Sequence, residues 1–292
     1  MVSVWGMNYL FVSLGLGYSS PFWLALLRSG LGTAATAVLL TPLRQWGRLD
    51  GRGRRDAMLL GLPNTTAFFV LWFLAARSVF PGVAAVLIYT FPLWVALLSA
   101  PVLGHRLSGR HWLSVAVGFL GVALISEVGA AVSSAVSPLA VLELLGASIS
   151  WALGTVLFQR RFVREEMLEA NAFQLLGGTL GILAVTLLIA PTPIPAASPI
   201  LLGIALWLGV LGTALAYAVW YHLLGRTRAA TLSGYLFLVP VVALIASAIL
   251  LGERLSTVQV VGVALVLGSI YGIGGAAVTD VDRAAAVPAP PE

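Results

Sequence analysis

The sequence predicts an all-α polytopic membrane protein whose ten transmembrane helices form two inverted five-helix repeats. Three observations lead there: an excess of apolar residues, a lopsided distribution of arginine, and a similarity between the two halves of the chain. Of the 292 residues, 60% are hydrophobic and 9% are charged, against about 25% charged in an ordinary soluble domain. The mean hydropathy is +1.01. A soluble core has no use for that much apolar surface, and disordered chains are polar and charge-rich. The apolar runs show no alternation with polar residues, which argues against a membrane β-barrel.

A spanning helix needs about 20 mostly apolar residues. Ten segments meet that need approximately: 2–17, 20–41, 57–78, 82–102, 110–127, 138–158, 168–190, 199–222, 229–251 and 257–278. The first is short, which a tilted helix or an earlier start would explain, and the segment after Met1 lacks the basic lead and cleavage site of a signal peptide. With the N-terminus inside, the loop after the second segment holds Arg44, Arg48, Arg52, Arg54 and Arg55. Arg106, Arg110, Arg160, Arg161, Arg164, Arg226, Arg228 and Arg283 fall on the same side. Only Arg77 and Arg254 fall on the other, and Arg28 lies within the second segment. This positive-inside bias places both termini in the cytoplasm, in keeping with a multi-pass protein of a bacterial inner membrane. Residues 279–292, ending in AVPAPPE, are expected to form a disordered cytoplasmic tail.

Composition also narrows the chemistry. There is no cysteine, and His105, His111 and His222 are too scattered for a metal cluster. All sixteen basic residues are arginine, and on so apolar a chain they record membrane orientation, not nucleic-acid binding. No H-E-x-x-H motif is present, no serine with a histidine partner stands near a midplane, and no ATP motor is encoded. The stretch Gly47 to Asp56 (GRLDGRGRRD) lacks the ending of a phosphate-binding loop and reads as contact with anionic lipid headgroups. No cofactor is implied.

The two halves resemble each other. His105-Arg106-Leu107-Ser108 matches Glu253-Arg254-Leu255-Ser256 at a spacing of 148, where Pro92 falls on Pro240, Gly104 on Gly252 and Tyr89 on Phe237. Gly61 falls on Gly209, Thr65 on Thr213, Phe69 on Tyr217 and Trp72 on Trp220. At a spacing of 146, Trp5 falls on Trp151 and Arg28 on Gln174. The first repeat is expected over 1–130 and the second over 137–278. Five helices per repeat is odd, so the halves enter the membrane from opposite sides. Secondary transporters use such inverted repeats to open a central site to each side in turn; duplication kept for stability alone is the plainer alternative.

W-G-x-N at Trp5 to Asn8, Arg28, the Pro92 segment running into G-H-R-L-S, and its echo L-G-E-R-L-S after Pro240 resemble the EamA-type drug/metabolite transporter superfamily. Within it the chain looks most like bacterial amino-acid exporters of the YddG type. His105 departs from the acidic residue that Glu253 supplies in the second copy. The resemblance implies a non-enzymatic secondary transporter that exports small metabolites, amino acids including aromatic ones first among them. Drugs, other metabolites or a lipid-linked substrate are the alternatives within the superfamily. The partners implied are a small-molecule substrate and membrane lipids, not nucleic acid. One chain holds both halves, so a monomer suffices.

The candidate substrate-binding residues are Asn8, Arg28, Phe69, Trp72, Tyr89, Trp151, Tyr217 and Tyr235. Arg28 lies roughly 10 Å into its helix, where a charge faces a cavity or a partner; it either meets a substrate carboxylate or ties down helix carbonyls. The aromatic residues stand mid-span, away from interface belts, and either line a cavity or pack helices. Asn8 and Asn64 suit a substrate's polar groups or interhelical hydrogen bonds. Pro92 and Pro240 suit hinges or static kinks. Glu143 reads as an outer-interface residue, and Trp94, Trp112, Trp207 and Trp220 as belt or packing residues.

Overall fold

The computed structural model describes residues 1–79, 81–104, 107–125, 137–189, 193–251 and 256–285. All regular structure among them is helical. The helices are α1 (Val2–Gly15), α2 (Pro21–Leu40), α3 (Gly51–Ala75), α4 (Ala84–Leu103), α5 (Gly109–Ile125), α6 (Pro138–Arg161), α7 (Met167–Leu188) and α8 (Pro199–Leu224). They are followed by α9, which joins Ala229–Gly234, a tight 3-10 turn at Tyr235–Phe237 and Leu238–Leu251, and by α10 (Thr257–Ala285). Six of these, α2, α3, α4, α6, α7 and α8, are long and apolar enough to cross a membrane; α1, α5, the start of α9 and the apolar part of α10 are shorter.

Local chemistry sets the boundaries. Ser20 caps α2 through the Trp23 amide at 3.4 Å with Pro21 in the first turn, and Ser198 caps α8 through Leu201 at 3.1 Å ahead of Pro199. Gly104 ends α4 at φ +71, a left-handed conformation that favours glycine. Two boundaries differ from the sequence expectation. α3 begins at Gly51 because Asp50 accepts from the Gly53 amide at 2.7 Å, so half of the basic stretch is helix. At the other end α10 continues to Ala285 where a tail was expected from 279, and residues 286–292 lie outside those described. So do His105, Arg106 and 252–255, which hold most of the two matched loop motifs.

Four helices are interrupted along their length. α3 widens into a π-helical segment at Leu62–Ala67, just where Pro63 removes an amide donor, and α8 does so at Trp207–Leu215. The two segments overlap at the 148 spacing. In α4 the α-helical pattern lapses at Tyr89 and Thr90, immediately before Pro92. Pro92 cannot donate to the Ile88 carbonyl, and Ser148 of α6 does so instead at 3.0 Å. Pro240 likewise follows an interruption, the tight turn at Tyr235–Phe237.

Contacts between the halves recur at the repeat spacings. A Cβ on Gly61 would come within 2.2 Å of the Gln174 carbonyl oxygen and 2.4 Å of the Gly178 amide, and one on Gly209 within 3.1 Å of the Arg28 oxygen and 3.2 Å of the Gly32 amide. The helices α3 with α7, and α8 with α2, therefore meet backbone to backbone. Thr65 covers Gly178 as Thr213 covers Gly32, and Asn64 fills the space beside Gly154 as Asn8 fills that beside Gly212. Two pairs of residues 146 positions apart touch each other directly: the Thr33 and Thr179 hydroxyls at 3.0 Å, and the Trp5 and Trp151 rings at 5.6 Å.

The Gly61 contact gives a test. Gly61→Ala forces a methyl group into the α7 backbone and is expected to destabilise the protein by about 1–3 kcal/mol. Gly203→Ala, where the added Cβ meets nothing within 4 Å, is expected to be neutral or slightly stabilising. Thermal unfolding of both variants in the same detergent checks the difference.

Candidate functional site

The candidate site is a small central cavity built by six helices. α1 presents Trp5, Asn8 and Tyr9 on one face, since residues three and four apart lie one above the other. α2 contributes Arg28, α3 Phe68 and Trp72, α4 Ile88 and Tyr89, α6 Trp151, and α8 Tyr217. The cavity has a volume of about 20 Å³, room for about one water. A second recess of about 40 Å³ shares Tyr9 and Trp72 with it and leads past Val12, Ala76 and Ala84 toward the end of the bundle opposite the arginine-rich loops. Tyr9 and Trp72, ring centroids 5.3 Å apart, form the wall between the two.

Aromatic packing closes the other side. Trp151 is held between Phe91, stacked at 3.9 Å, and Phe68, stacked at 5.0 Å. Trp5 meets Trp151 edge-on, and Trp220 packs 6.0 Å from Trp151. Each such pair adds about 0.5–1.5 kcal/mol beyond area burial. The Trp5 indole also donates to the Gly212 carbonyl at 3.0 Å, which fixes α1 against the wide segment of α8.

Arg28 is the only charge at the cavity among the described residues. It is 1% exposed. Its Nε donates to Thr213 Oγ1 at 3.1 Å, and one terminal nitrogen reaches the Gly212 carbonyl at 3.4 Å. Its guanidinium lies over the Phe69 ring, 4.3 Å from the centroid. Its other terminal nitrogen, Nη1, makes no hydrogen bond, and no carboxylate pairs with it among the described residues. Asn8 Oδ1 and the Tyr217 hydroxyl, in the same cavity wall, are also without a hydrogen-bond partner. An unneutralised buried cation is costly, and buried polar atoms in folded proteins are nearly always paired. This wall can therefore take an anion at Arg28, an acceptor or donor at Asn8, and an apolar group between the rings.

The repeat mate of Arg28 lies in a different setting. Gln174 Oε1 accepts from Asn64 Nδ2 at 2.7 Å and, closely, from the Tyr221 hydroxyl. No charged side chain bonds this group among the described residues, and Gln174 Nε2 and Asn64 Oδ1 are without a hydrogen-bond partner.

The sequence candidates divide accordingly. Asn8, Arg28, Trp72, Tyr89, Trp151 and Tyr217 come together around the cavity. Phe69 carries the Arg28 guanidinium and does not face the cavity. Tyr235 is half-buried in the tight turn of α9 and lies outside the cavity wall. Trp220 is fully buried, so it is not a belt residue, and Trp207 stacks on Phe11 at 4.6 Å. Glu143 shares a pocket with Arg77 and Ser78 at the far end of the bundle, in keeping with an interfacial position. Trp5, Tyr9 and Phe68 were not among the candidates; the spacing of Trp5, Asn8 and Tyr9 on one helical face is the signal that would have found the first two. No group of three metal-ligating side chains occurs among the described residues.

Sequence reasoning also missed Glu169, in the first turn of α7. It is fully buried, accepts from the Leu49 amide at 3.0 Å and closely from the Arg48 amide, and lies 3.4 Å from Arg54. It ties the loop after α2 and the start of α3 to the second half.

Comparisons with known proteins agree with this architecture. The sequence pattern of the EamA-like transporter family matches residues 1–127 and 138–275. The "Uncharacterized transporter YvbV" of Bacillus subtilis is 28% identical over 92% of this chain and 88% of its own. The "Probable amino-acid metabolite efflux pump" of Escherichia coli is 28% identical over 93% and 91%. A crystal structure superposes with a TM-score of 0.75 at 20% identity, covering 94% of each chain, a likeness of fold alone.

Glu169→Gln removes the charge while keeping the shape. Loss of charge-assisted hydrogen bonds to two amides is expected to lower stability by about 1–3 kcal/mol. A melting temperature equal to that of the wild type would show that the carboxylate's charge is not needed there.

Proposed function

We propose, from the premise that this chain belongs to the EamA-like transporter family, that it is a secondary exporter of amino acids, aromatic ones among them. One observation carries the proposal. In a single aromatic-walled cavity, a buried guanidinium with an unused Nη1 faces no acidic partner, while an amide oxygen and a phenol also lack partners. A zwitterion meets these needs together. Its carboxylate pairs with Arg28, its ammonium with Asn8 Oδ1 and the faces of the surrounding rings, and an aromatic side chain fits among Trp5, Trp72 and Trp151. The relative named as an amino-acid metabolite efflux pump supports the same cargo class. A phosphorylated cargo would want several cations, and this cavity has one.

Transport proceeds by alternating access without chemistry on the cargo. The cavity of about 20 Å³ is too small for an amino acid, so the two halves, 1–130 and 137–278, must part around it. The paired contacts at the repeat spacings, and the touching mates Thr33 with Thr179 and Trp5 with Trp151, support ten spans in two inverted repeats. The interruptions before Pro92 and Pro240 are where bending costs least. The protein resides in a bacterial inner membrane with both termini in the cytoplasm, and gradients of substrate or protons drive export.

The test uses purified protein in liposomes loaded with labelled phenylalanine, tryptophan, threonine or lysine. Saturable efflux of the two aromatic amino acids, accelerated by unlabelled substrate outside, is expected. No flux above empty liposomes, with folded protein confirmed, would sink the amino-acid assignment. Arg28→Met separates function from stability. The Gly212 carbonyl keeps its bond from Trp5, and Thr213 still donates to Leu208, so no partner is orphaned and the melting temperature is expected to hold or rise. Transport efficiency should fall by about ten- to a hundredfold. Trp151→Ala should also lose transport while reaching the membrane; unchanged kinetics would remove Trp151 from the site.

A further inference from the structure

The arginine-rich end of the bundle holds a second pocket, unconnected with the aromatic cavity by any shared residue. Three segments enclose it: Gln45 and Arg48 from the loop after α2, Arg164 and Leu168 from the start of α7 and the turn before it, and His222 and Arg226 from the end of α8 and just beyond. Its volume is about 390 Å³. One carboxylate, Glu165, lies on its rim.

The neighbouring acids are already engaged. Asp56 pairs with Arg161 at 2.7 Å and Arg55 at 3.7 Å, Glu169 with Arg54 and two amides, and Asp50 caps α3. Glu166 accepts from the Val163 amide at 3.0 Å. Among the described residues no carboxylate forms an ion pair with Arg48, Arg164 or Arg226, and Arg226 Nη1 reaches only the His222 carbonyl, at 3.4 Å. Three arginines thus line one concavity with a single acid to offset them. Mutual repulsion would spread such side chains apart unless an anion joined them.

We propose that this pocket binds a phosphate-bearing anion. Phosphate offers several acceptor oxygens to planar guanidinium donors, which arginine matches better than any other side chain. Its span across Arg48 on one side and Arg164 and Arg226 on the other lets one phosphate bridge the first half of the chain to the second. The chemistry is shared by an anionic lipid headgroup and a soluble phosphate. Exposed Leu43, Trp46 and Val163 stand in the same two loops, as a headgroup with its acyl chains alongside would require. The binding claim rests on this geometry and not on the transport reading.

The experiment uses the full chain. Retention of phosphatidylglycerol against phosphatidylcholine of the same acyl chains is measured by native mass spectrometry, and stabilisation by inorganic phosphate by thermal unfolding in lipid-free detergent. Two double variants remove equal charge from the same end: Arg164→Gln with Arg226→Gln in the pocket, and Arg110→Gln with Arg160→Gln outside it. The pocket variant is expected to weaken binding by roughly tenfold or more, and the control to leave it near the wild-type value. An effect on phosphatidylglycerol assigns the site to a lipid, and one on phosphate alone assigns it to a soluble ion; either supports the site. Equal losses in both variants, or no preference for either probe in the wild type, would overturn it. Arg48→Gln, which keeps the backbone amide that bonds Glu169 and removes no ion pair found among the described residues, repeats the test if the double variant fails to fold.

Discussion

A membrane interior offers no water to a broken helix, so each backbone group that an interruption frees must find a partner inside the protein. That constraint organises this molecule. The Ile88 carbonyl, which Pro92 cannot serve, takes a hydrogen bond from Ser148. Ser150 reaches the Pro63 carbonyl in the wide segment of α3 at 3.0 Å. In the wide segment of α8, the Gly212 carbonyl receives both the Trp5 indole and the Arg28 guanidinium. The donors that repair the interruptions are therefore side chains on neighbouring helices, and two of them, Trp5 and Arg28, also line the central cavity.

The same arrangement explains why the two halves, so alike in their contacts, differ at their centres. Glycines at corresponding positions let α2 approach α8 and α7 approach α3 to backbone distance. At the crossing one half places Arg28 and Asn8, the other Gln174 and Asn64. Gln174 Oε1 is satisfied by its neighbours Asn64 and Tyr221 while Gln174 Nε2 stays unpaired, as Arg28 Nη1 does; the difference is that the Arg28 donor is charged and lines the cavity. A charge on one half only makes the cavity polar on one wall, and on the proposed reading this directs a bound zwitterion in one orientation. Thick aromatic packing of Trp151, Phe91 and Trp220 seals one side of the cavity, and the thinner Tyr9 and Trp72 pair separates it from the recess beyond.

Charge does separate work at the arginine-rich end. Asp50 turns a basic loop into the first turns of α3, Glu169 pins that loop to α7, and Gln159 holds the Leu224 and Thr227 carbonyls at 2.9 and 2.7 Å. The bonds of Glu169 and Gln159 cross between segments distant in sequence. Among the described residues they leave several arginines of this end without a carboxylate partner, and Arg48, Arg164 and Arg226 are distinguished by lining one concavity.

The sequence by itself determined the class of protein and the rough placing of its apolar segments, and it carries the matched residues on which the proposed repeat rests. These follow from composition and from order along the chain: Trp5 and Trp151, or Gly61 and Gly209, are legible as mates without coordinates. It also singled out Arg28, because a lone charge inside an apolar run has few uses. Only the tertiary structure decided which of the mid-span aromatic residues share a wall. Tyr235 and Tyr217 look equivalent in sequence, yet a tight turn in α9 leaves one aside while the wide segment of α8 brings the other to Arg28's cavity. Glu169 stayed hidden because it reads as an ordinary acidic residue at a helix start; its role depends on two amides from a loop more than a hundred positions away. Pattern reports which face of a helix is apolar, but partners across helices are set by packing, which the order of residues does not record.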